Sequence, residues 1–294
     1  MSRPIGKHHK LVLLPHLIKI IPNKLAEHAT FHNGSKFYGF DLDSTLIETK
    51  SKMKFSKNPK DWKFVELSDP ESSGKESVTT LDALLQLFKE NSAKAQQANI
   101  VIFSNQGSVI TVPGDSKSCT NLLSKLQNIL EVIENSLREQ DSLEFMNHIW
   151  VYCSPKMPSS LKKKKVFKIG GANSLISAKF KTVSNSANKI TKKQQHTEQE
   201  TTMETKSQLS QELLFAIMRK PEIGMFETFQ QDVHKCFLSE KDASKDIALE
   251  FYCGDAAGRP TDFSDSDFQF AKALKTQFLT PEKFITEYTD KKSG

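Results

Sequence analysis

The sequence predicts an α/β fold built on a mostly parallel central sheet. Four short runs rich in β-branched and aromatic residues, FYGFDL (37 to 42), NIVIFS (99 to 104), IWVYCS (149 to 154) and ALEFYCG (248 to 254), read as strands buried on both faces. Segments of helical apolar spacing lie between them, the pattern of βαβ units. Polar and acidic residues cluster directly after the strand ends, where open α/β sheets bind ligands.

Taken in order, LVLLPHLIKII (11 to 21) follows the basic MSRPIGKHHK. It carries Pro15, His16 and Lys19 and has no small-residue cleavage site behind it, so an ordered edge segment is expected rather than a leader. Nothing approaches the ~18 uncharged apolar residues of a membrane span. After the first strand, VTTLDALLQLFKEN (78 to 91) places Leu81, Leu84, Leu85 and Phe88 on one helical face. After the second, residues 119 to 139 keep i, i+3, i+4, i+7 apolar spacing throughout. In MRKPEIGMFETF, Pro221 favours an extended Lys220 and a helix starting just beyond. After the fourth strand, SDSDFQFAKAL reads as a helix capped by Asp265 or Ser266.

From 156 to 210 the pattern fails, and a stretch rich in Lys, Ser, Thr, Gln and Asn has too little apolar surface to offset the entropy of ordering. The expected organisation is one domain, 1 to 155 and 211 to 294, interrupted by a lysine-rich flexible insertion whose VFKIGG and LISAKFKTV pieces could pair as a hairpin. The net charge is +6, yet residues 156 to 193 alone hold eleven lysines and no Asp, Glu or Arg, so the remainder is mildly acidic. The insertion has three readings: a solvated loop, a nuclear-import signal in LKKKKVFK, or non-specific attraction to nucleic-acid phosphates. The four cysteines show no metal-site spacing, as expected of reduced thiols in an intracellular protein.

The chemistry lies in three strand ends. Asp41 and Asp43 are i and i+2 after the first strand, so their carboxylates can point to one volume, followed by the hydroxyls of Ser44 and Thr45. Like charges that close need a cation or a shared proton, and with no His or Cys nearby the fitting cation is hard and oxygen-bound, Mg²⁺. The bland alternative is a pair of turn-capping aspartates. Ser104, Asn105 and Gln106, then Gly107, offer a hydroxyl and backbone N–H groups for phosphate oxygens, or merely a strand exit. CGDAAGRPTDFSDSD brings a third strand-end carboxylate, Asp255, then Asp262, Asp265 and Asp267. Arg259 beside them is a candidate to touch a substrate strand or to brace the loop.

In order and spacing, DLDSTLI, FSNQ, RKPEIGMF and GDAAGRPTDFSDSDFQFA resemble the four signatures of the haloacid-dehalogenase-type phosphotransferases. More narrowly, the GDAAGRP…DFSDSD block, FLTPEKF and NPKDW (58 to 62) resemble the polynucleotide kinase 3′-phosphatase family, including its stand-alone fungal type, over about residues 10 to 290. The resemblance implies a HAD-like Rossmannoid three-layer sandwich without a large cap. It implies Asp41 as nucleophile, Asp43 as general acid and base, Ser104 as phosphate-binding hydroxyl, and Lys220 as the cation offsetting charge on nucleophile and phosphoryl group. It further implies a Mg²⁺ ion held by Asp41, Asp255 and the backbone carbonyl of Asp43, with Asp262 in support. Ser44 stands where the family has glycine.

The expected function is removal of 3′-phosphate from DNA ends, by a nuclear monomer with no nucleotide cofactor. No GxxxxGK[ST] loop occurs, so a 5′-kinase activity is not expected. Two alternatives stay open: a phosphatase of small phosphomonoesters with the same motifs, and a non-catalytic nucleic-acid-binding protein on the same fold.

Overall fold

A computed structural model describes residues 2–23, 35–54, 56, 58–67, 77–161, 210–235 and 247–289. The lysine-rich insertion, with its suggested import signal and hairpin, falls outside the described residues from 162 to 209.

Twelve strands are present among the described residues. β1 (Ser2–Ile5), β2 (His9–Leu14) and β3 (Leu17–Pro22) open the chain, and β4 (Ser35–Phe40) follows. The pairs β5 (Ile47–Glu48) with β6 (Lys63–Phe64), and β7 (Glu66–Leu67) with β8 (Val78–Thr79), are short hairpin-like ribbons. β9 (Gln97–Gln106), β10 (Ile149–Pro155), β11 (Leu249–Cys253) and β12 (Gln277–Leu279) complete the set. The helices are α1 (Thr80–Ala93), α2 (Lys117–Arg138), α3 (Gln211–Ile217), α4 (Gly224–His234), α5 (Ser266–Ala273) and α6 (Pro281–Thr289).

The main sheet runs β1-β2-β3-β10-β9-β4-β11-β12. Its five strands from β10 to β12 are all parallel, and β3 joins β10 antiparallel. Residues 11 to 21 are thus an ordered hairpin of the sheet, turning at Pro15 and His16, with β1 outside β2 as the edge strand.

Why the four apolar runs become central strands is visible in how alternate side chains divide between two cores. Tyr38, Phe40, Ile100, Ile102, Ile149, Val151, Phe251 and Cys253 enter one core, together with Leu84 and Phe88 of α1, Leu126 and Ile129 of α2 and Phe284 of α6. Phe37, Val101, Phe103, Trp150, Tyr152 and Tyr252 enter the other, against Phe226 and Phe229 of α4 and Phe270 of α5. The strands carry apolar residues on both faces because both faces are covered, which makes three layers. Helix starts follow local chemistry: Thr79 caps α1 through a reciprocal box with Asp82, which sets the start two residues later than apolar spacing alone suggests. Ser116 caps α2 by accepting from the Cys119 N–H. At α5, Asp265 occupies the capping position without a side-chain cap bond and accepts instead from Gln269 Nε2.

Chain order reverses at β4, whose successors β9 and β10 lie on one side and β11 and β12 on the other. The carboxyl ends of β4, β9 and β11 therefore face a crevice at the switch point. Between Asp43 and β9 the described residues hold only the two short ribbons and α1, and no separate cap domain is present among them. No described helix is long and apolar enough to cross a membrane.

Candidate active site

β4 ends at Phe40, and the Asp41 N–H donates to the Cys253 carbonyl at 2.8 Å, which ties the Asp41 loop to the end of β11. The loop then turns sharply: Ser44 has φ 63°, the left-handed region that glycine adopts most easily, and its N–H reaches the Ile47 carbonyl at 2.7 Å. Thr45 is fully buried, and its hydroxyl accepts from the Asp255 N–H at 2.9 Å. Its hydroxyl therefore braces the loop that carries Asp255.

Lys220 sits at the centre. It is 4% exposed, and its Nζ donates to Asp41 Oδ1 at 2.6 Å, Asp267 Oδ1 at 2.7 Å and the Tyr252 hydroxyl at 2.8 Å. Burial works against the ammonium, but the charges and hydrogen bonds of Asp267 and Asp41 outweigh it and hold Lys220 above its ordinary range. The backbone of Lys220 is clamped by the Asn105 side chain, which accepts from the Lys220 N–H at 2.9 Å and donates to its carbonyl at 3.0 Å. With both ends of its amide so engaged, the Asn105 side chain acts on Lys220.

Asp41, Asp255 and Asp267 bring one carboxylate oxygen each within 4.8 Å of one another. Burial pushes Asp41 up, Asp267 and Asp255 adding to the rise and Lys220 opposing it. Asp255 is pushed up to about 6, first by burial and then by Asp267. Asp267 reaches this point because Gly254 has no side chain; a Cβ there would stand 2.5 Å from Asp267 Cβ, Cγ and Oδ2. Asp267 also accepts from the Ala256 N–H at 3.1 Å. The donors are all oxygens, with no nitrogen or sulfur, which fits a hard divalent cation.

Asp43 departs from this cluster. Its side chain is half-exposed and turns to a second lysine: Lys125 Nζ donates to Asp43 Oδ1 at 2.8 Å and Gln106 Nε2 donates to Oδ2 at 2.6 Å. The two carboxylates of DLD are thus separated, each with its own ammonium, which relieves the repulsion their spacing implies. Ser104, almost fully buried, accepts from the same Gln106 amide at 2.9 Å.

Asp262 and Arg259 brace the loop. Asp262 accepts from the N–H groups of Ala257 and Arg259, at 3.0 and 2.9 Å, and pairs with Arg259 Nε at 2.9 Å. Arg259 also reaches Glu282 at 3.5 Å and donates to the Asp255 carbonyl at 3.2 Å. Asp61 of NPKDW similarly pins the segment after Asp43 by accepting from the Ser51 N–H and hydroxyl, at 2.9 and 2.7 Å.

Sequence reasoning did not single out Lys125, Tyr252 or the inward turn of Asp267. For Lys125 a signal existed, a charged residue interrupting the buried face of Leu122, Leu126 and Ile129.

A family model described as polynucleotide kinase 3 phosphatase matches residues 36–285 of this sequence. The chain belongs to that family. It is similar to the polynucleotide 3′-phosphatase of Saccharomyces cerevisiae, 34% identical over 94% of this chain and 98% of the relative. The polynucleotide 3′-phosphatase of Saccharomyces mikatae is also 34% identical, over 94% and 95%. A bifunctional polynucleotide phosphatase/kinase of Schizosaccharomyces pombe is 24% identical over 89% of this chain but only 40% of its own length. What the chain shares with the bifunctional relative is therefore a part of that protein.

Proposed function

We propose that this chain is a polynucleotide 3′-phosphatase that removes the 3′-phosphate from DNA strand breaks and leaves 3′-hydroxyl ends. The observation that carries it is full-length similarity to two polynucleotide 3′-phosphatases, joined to a buried Asp41–Lys220 pair at the switch point of the sheet. The lack of a separate cap domain among the described residues favours the end of a chain over an enclosed metabolite.

In the proposed reaction an Asp41 carboxylate oxygen attacks phosphorus, the bond to the 3′ oxygen breaks, and Asp43 gives that oxygen a proton. Water then attacks the same phosphorus, Asp43 takes its proton, and the Asp41 carboxylate is released with inorganic phosphate. Lys220 offsets charge on Asp41 and on the phosphoryl oxygens it faces, and the Ser104 hydroxyl supplies a donor to one of those oxygens. Asp41 and Asp255, with Asp267 behind them, would hold Mg²⁺, which when bound supplies charge neutralisation at the transferring phosphoryl group.

The reading carries with it a monomer that needs no nucleotide cofactor and works in the nucleus, with LKKKKVFK as a candidate import signal. Phosphate release from matched 3′-phosphate and 5′-phosphate oligonucleotides, with Mg²⁺ or chelator, tests it. Release from the 3′ end alone, dependent on the ion and lost in Asp41→Asn, is expected; equal action on both ends would remove the substrate assignment.

A further inference from the structure

We propose that Lys125 is a positioning residue for the proton-transferring carboxylate, fixing Asp43 together with Gln106 so that it meets the leaving 3′ oxygen. The inference rests on the aspartyl-phosphate chemistry proposed above, not on the identity of the leaving group's chain.

α2 buries Leu122, Leu126 and Ile129 against the core, and Lys125 lies on that same face, 8% exposed. For packing alone a leucine or methionine would serve, and a buried ammonium is costly unless it is paired. Its partner is a residue 82 positions away, Asp43, whose side chain is 50% exposed against 10% for that of Lys125. An aspartate so open to solvent would otherwise sample several rotamers. Here it is held from two elements at once. Lys125 on α2 takes Oδ1 at 2.8 Å and Gln106 at the end of β9 takes Oδ2 at 2.6 Å.

The Gln106 amide bonds Ser104 Oγ as well, at 2.9 Å, so the carboxylate is registered against the hydroxyl proposed to meet the phosphoryl oxygens. Reacting groups misplaced by about 1 Å lose on the order of 10²-fold in rate, so the clamp has a measurable task. The balance of the step is unchanged by it. The proton leaves the Asp43 carboxyl for the ester oxygen as the phosphorus–oxygen bond breaks, and Lys125 keeps its own protons.

The test uses leaving groups. A secondary alkoxide, as in a 3′-phosphate or in glycerol 2-phosphate, needs protonation as it departs; p-nitrophenolate does not. Single-turnover cleavage of a 3′-phosphate oligonucleotide and of glycerol 2-phosphate is compared with the pre-steady-state burst of p-nitrophenol. Lys125→Met is expected to slow both alkyl esters about 30- to 100-fold and the burst less than about 3-fold, with Lys125→Arg recovering most of the alkyl rate.

Gln106→Met should show the same asymmetry at about 10-fold, and it decides the matter if Lys125→Met does not fold. Equal losses on alkyl and aryl esters in a variant that melts like the wild type would overturn the proposal, as would an unchanged alkyl rate. Wild-type enzyme that cleaves glycerol 2-phosphate but not the oligonucleotide would instead remove the polynucleotide reading and leave this one standing.

Discussion

Replacing Lys220 by methionine keeps the length of the side chain and removes the charge that three buried groups share. Its ammonium bonds Asp41 at 2.6 Å, Asp267 at 2.7 Å and the Tyr252 hydroxyl at 2.8 Å, and neither carboxylate side chain is more than 10% exposed. Removing one partner of such a pair costs about 3–5 kcal/mol, because the charge left behind is buried and unpaired. At roughly 2–4 °C per kcal/mol for a chain of this size, the melting temperature should fall by about 6–20 °C at pH 8 in chelator.

The loss should shrink at pH 5. Burial already raises Asp41 and Lys220 opposes that rise, so without the lysine Asp41 holds its proton more tightly folded than unfolded; its penalty is absent below the unfolded pKa and grows as pH rises through the folded one. A divalent cation should restore part of the stability by binding only the folded site. Thermal melting at both pH values, with and without Mg²⁺, is the assay. A melting temperature at pH 8 within about 2 °C of wild type would show that the three bonds are not what balances these charges.

Three further outcomes follow from the same geometry. Gly254→Ala should push Asp267 out of place at a cost of about 1–3 kcal/mol and reduce phosphatase turnover at least tenfold, since the new Cβ would lie 2.5 Å from the Asp267 carboxyl; melting and turnover together check it. Ser44→Gly should stabilise the fold by up to about 1 kcal/mol in denaturant titration while turnover stays within about threefold, because Ser44 holds φ 63°. In chelated wild-type protein Asp255, raised to about 6, contributes stability that is fully present below its unfolded value near 4 and is lost as pH rises through about 6. Added Mg²⁺ should therefore raise the melting temperature more at pH 7.5 than at pH 4.5, and equal shifts would speak against Asp255 as part of the cation site.

The central strands were legible because burial on both faces leaves an almost unbroken apolar run, and Asp41, Asp43, Ser104 and Asp255 were legible because they stand where those runs stop. The β2–β3 hairpin was legible as an ordered segment but not as two strands, since β2 and β3 take their register from each other, from β1 and from β10. Which acid of DFSDSD turns inward could not be read from the motif. Asp267 does so because α5 begins at Ser266 and Gly254 leaves room, a meeting of segments thirteen residues apart. The distinct surroundings of Asp41 and Asp43 were equally hidden: i and i+2 predicts a shared direction, whereas Lys220 and Lys125 arrive from distant parts of the chain and draw the two apart. Arg259 and Asp262 stand in a chemically suggestive loop, and only their mutual bonds reveal a brace.

The account turns on a phosphoryl group resting briefly on Asp41. The direct measurement is rapid acid quenching during turnover of an oligonucleotide carrying radiolabelled 3′-phosphate, followed by proteolysis and location of the label. The account predicts label on the peptide that contains Asp41, formed and lost at rates that match phosphate release. Full turnover with no label on that peptide at any quench time would contradict it.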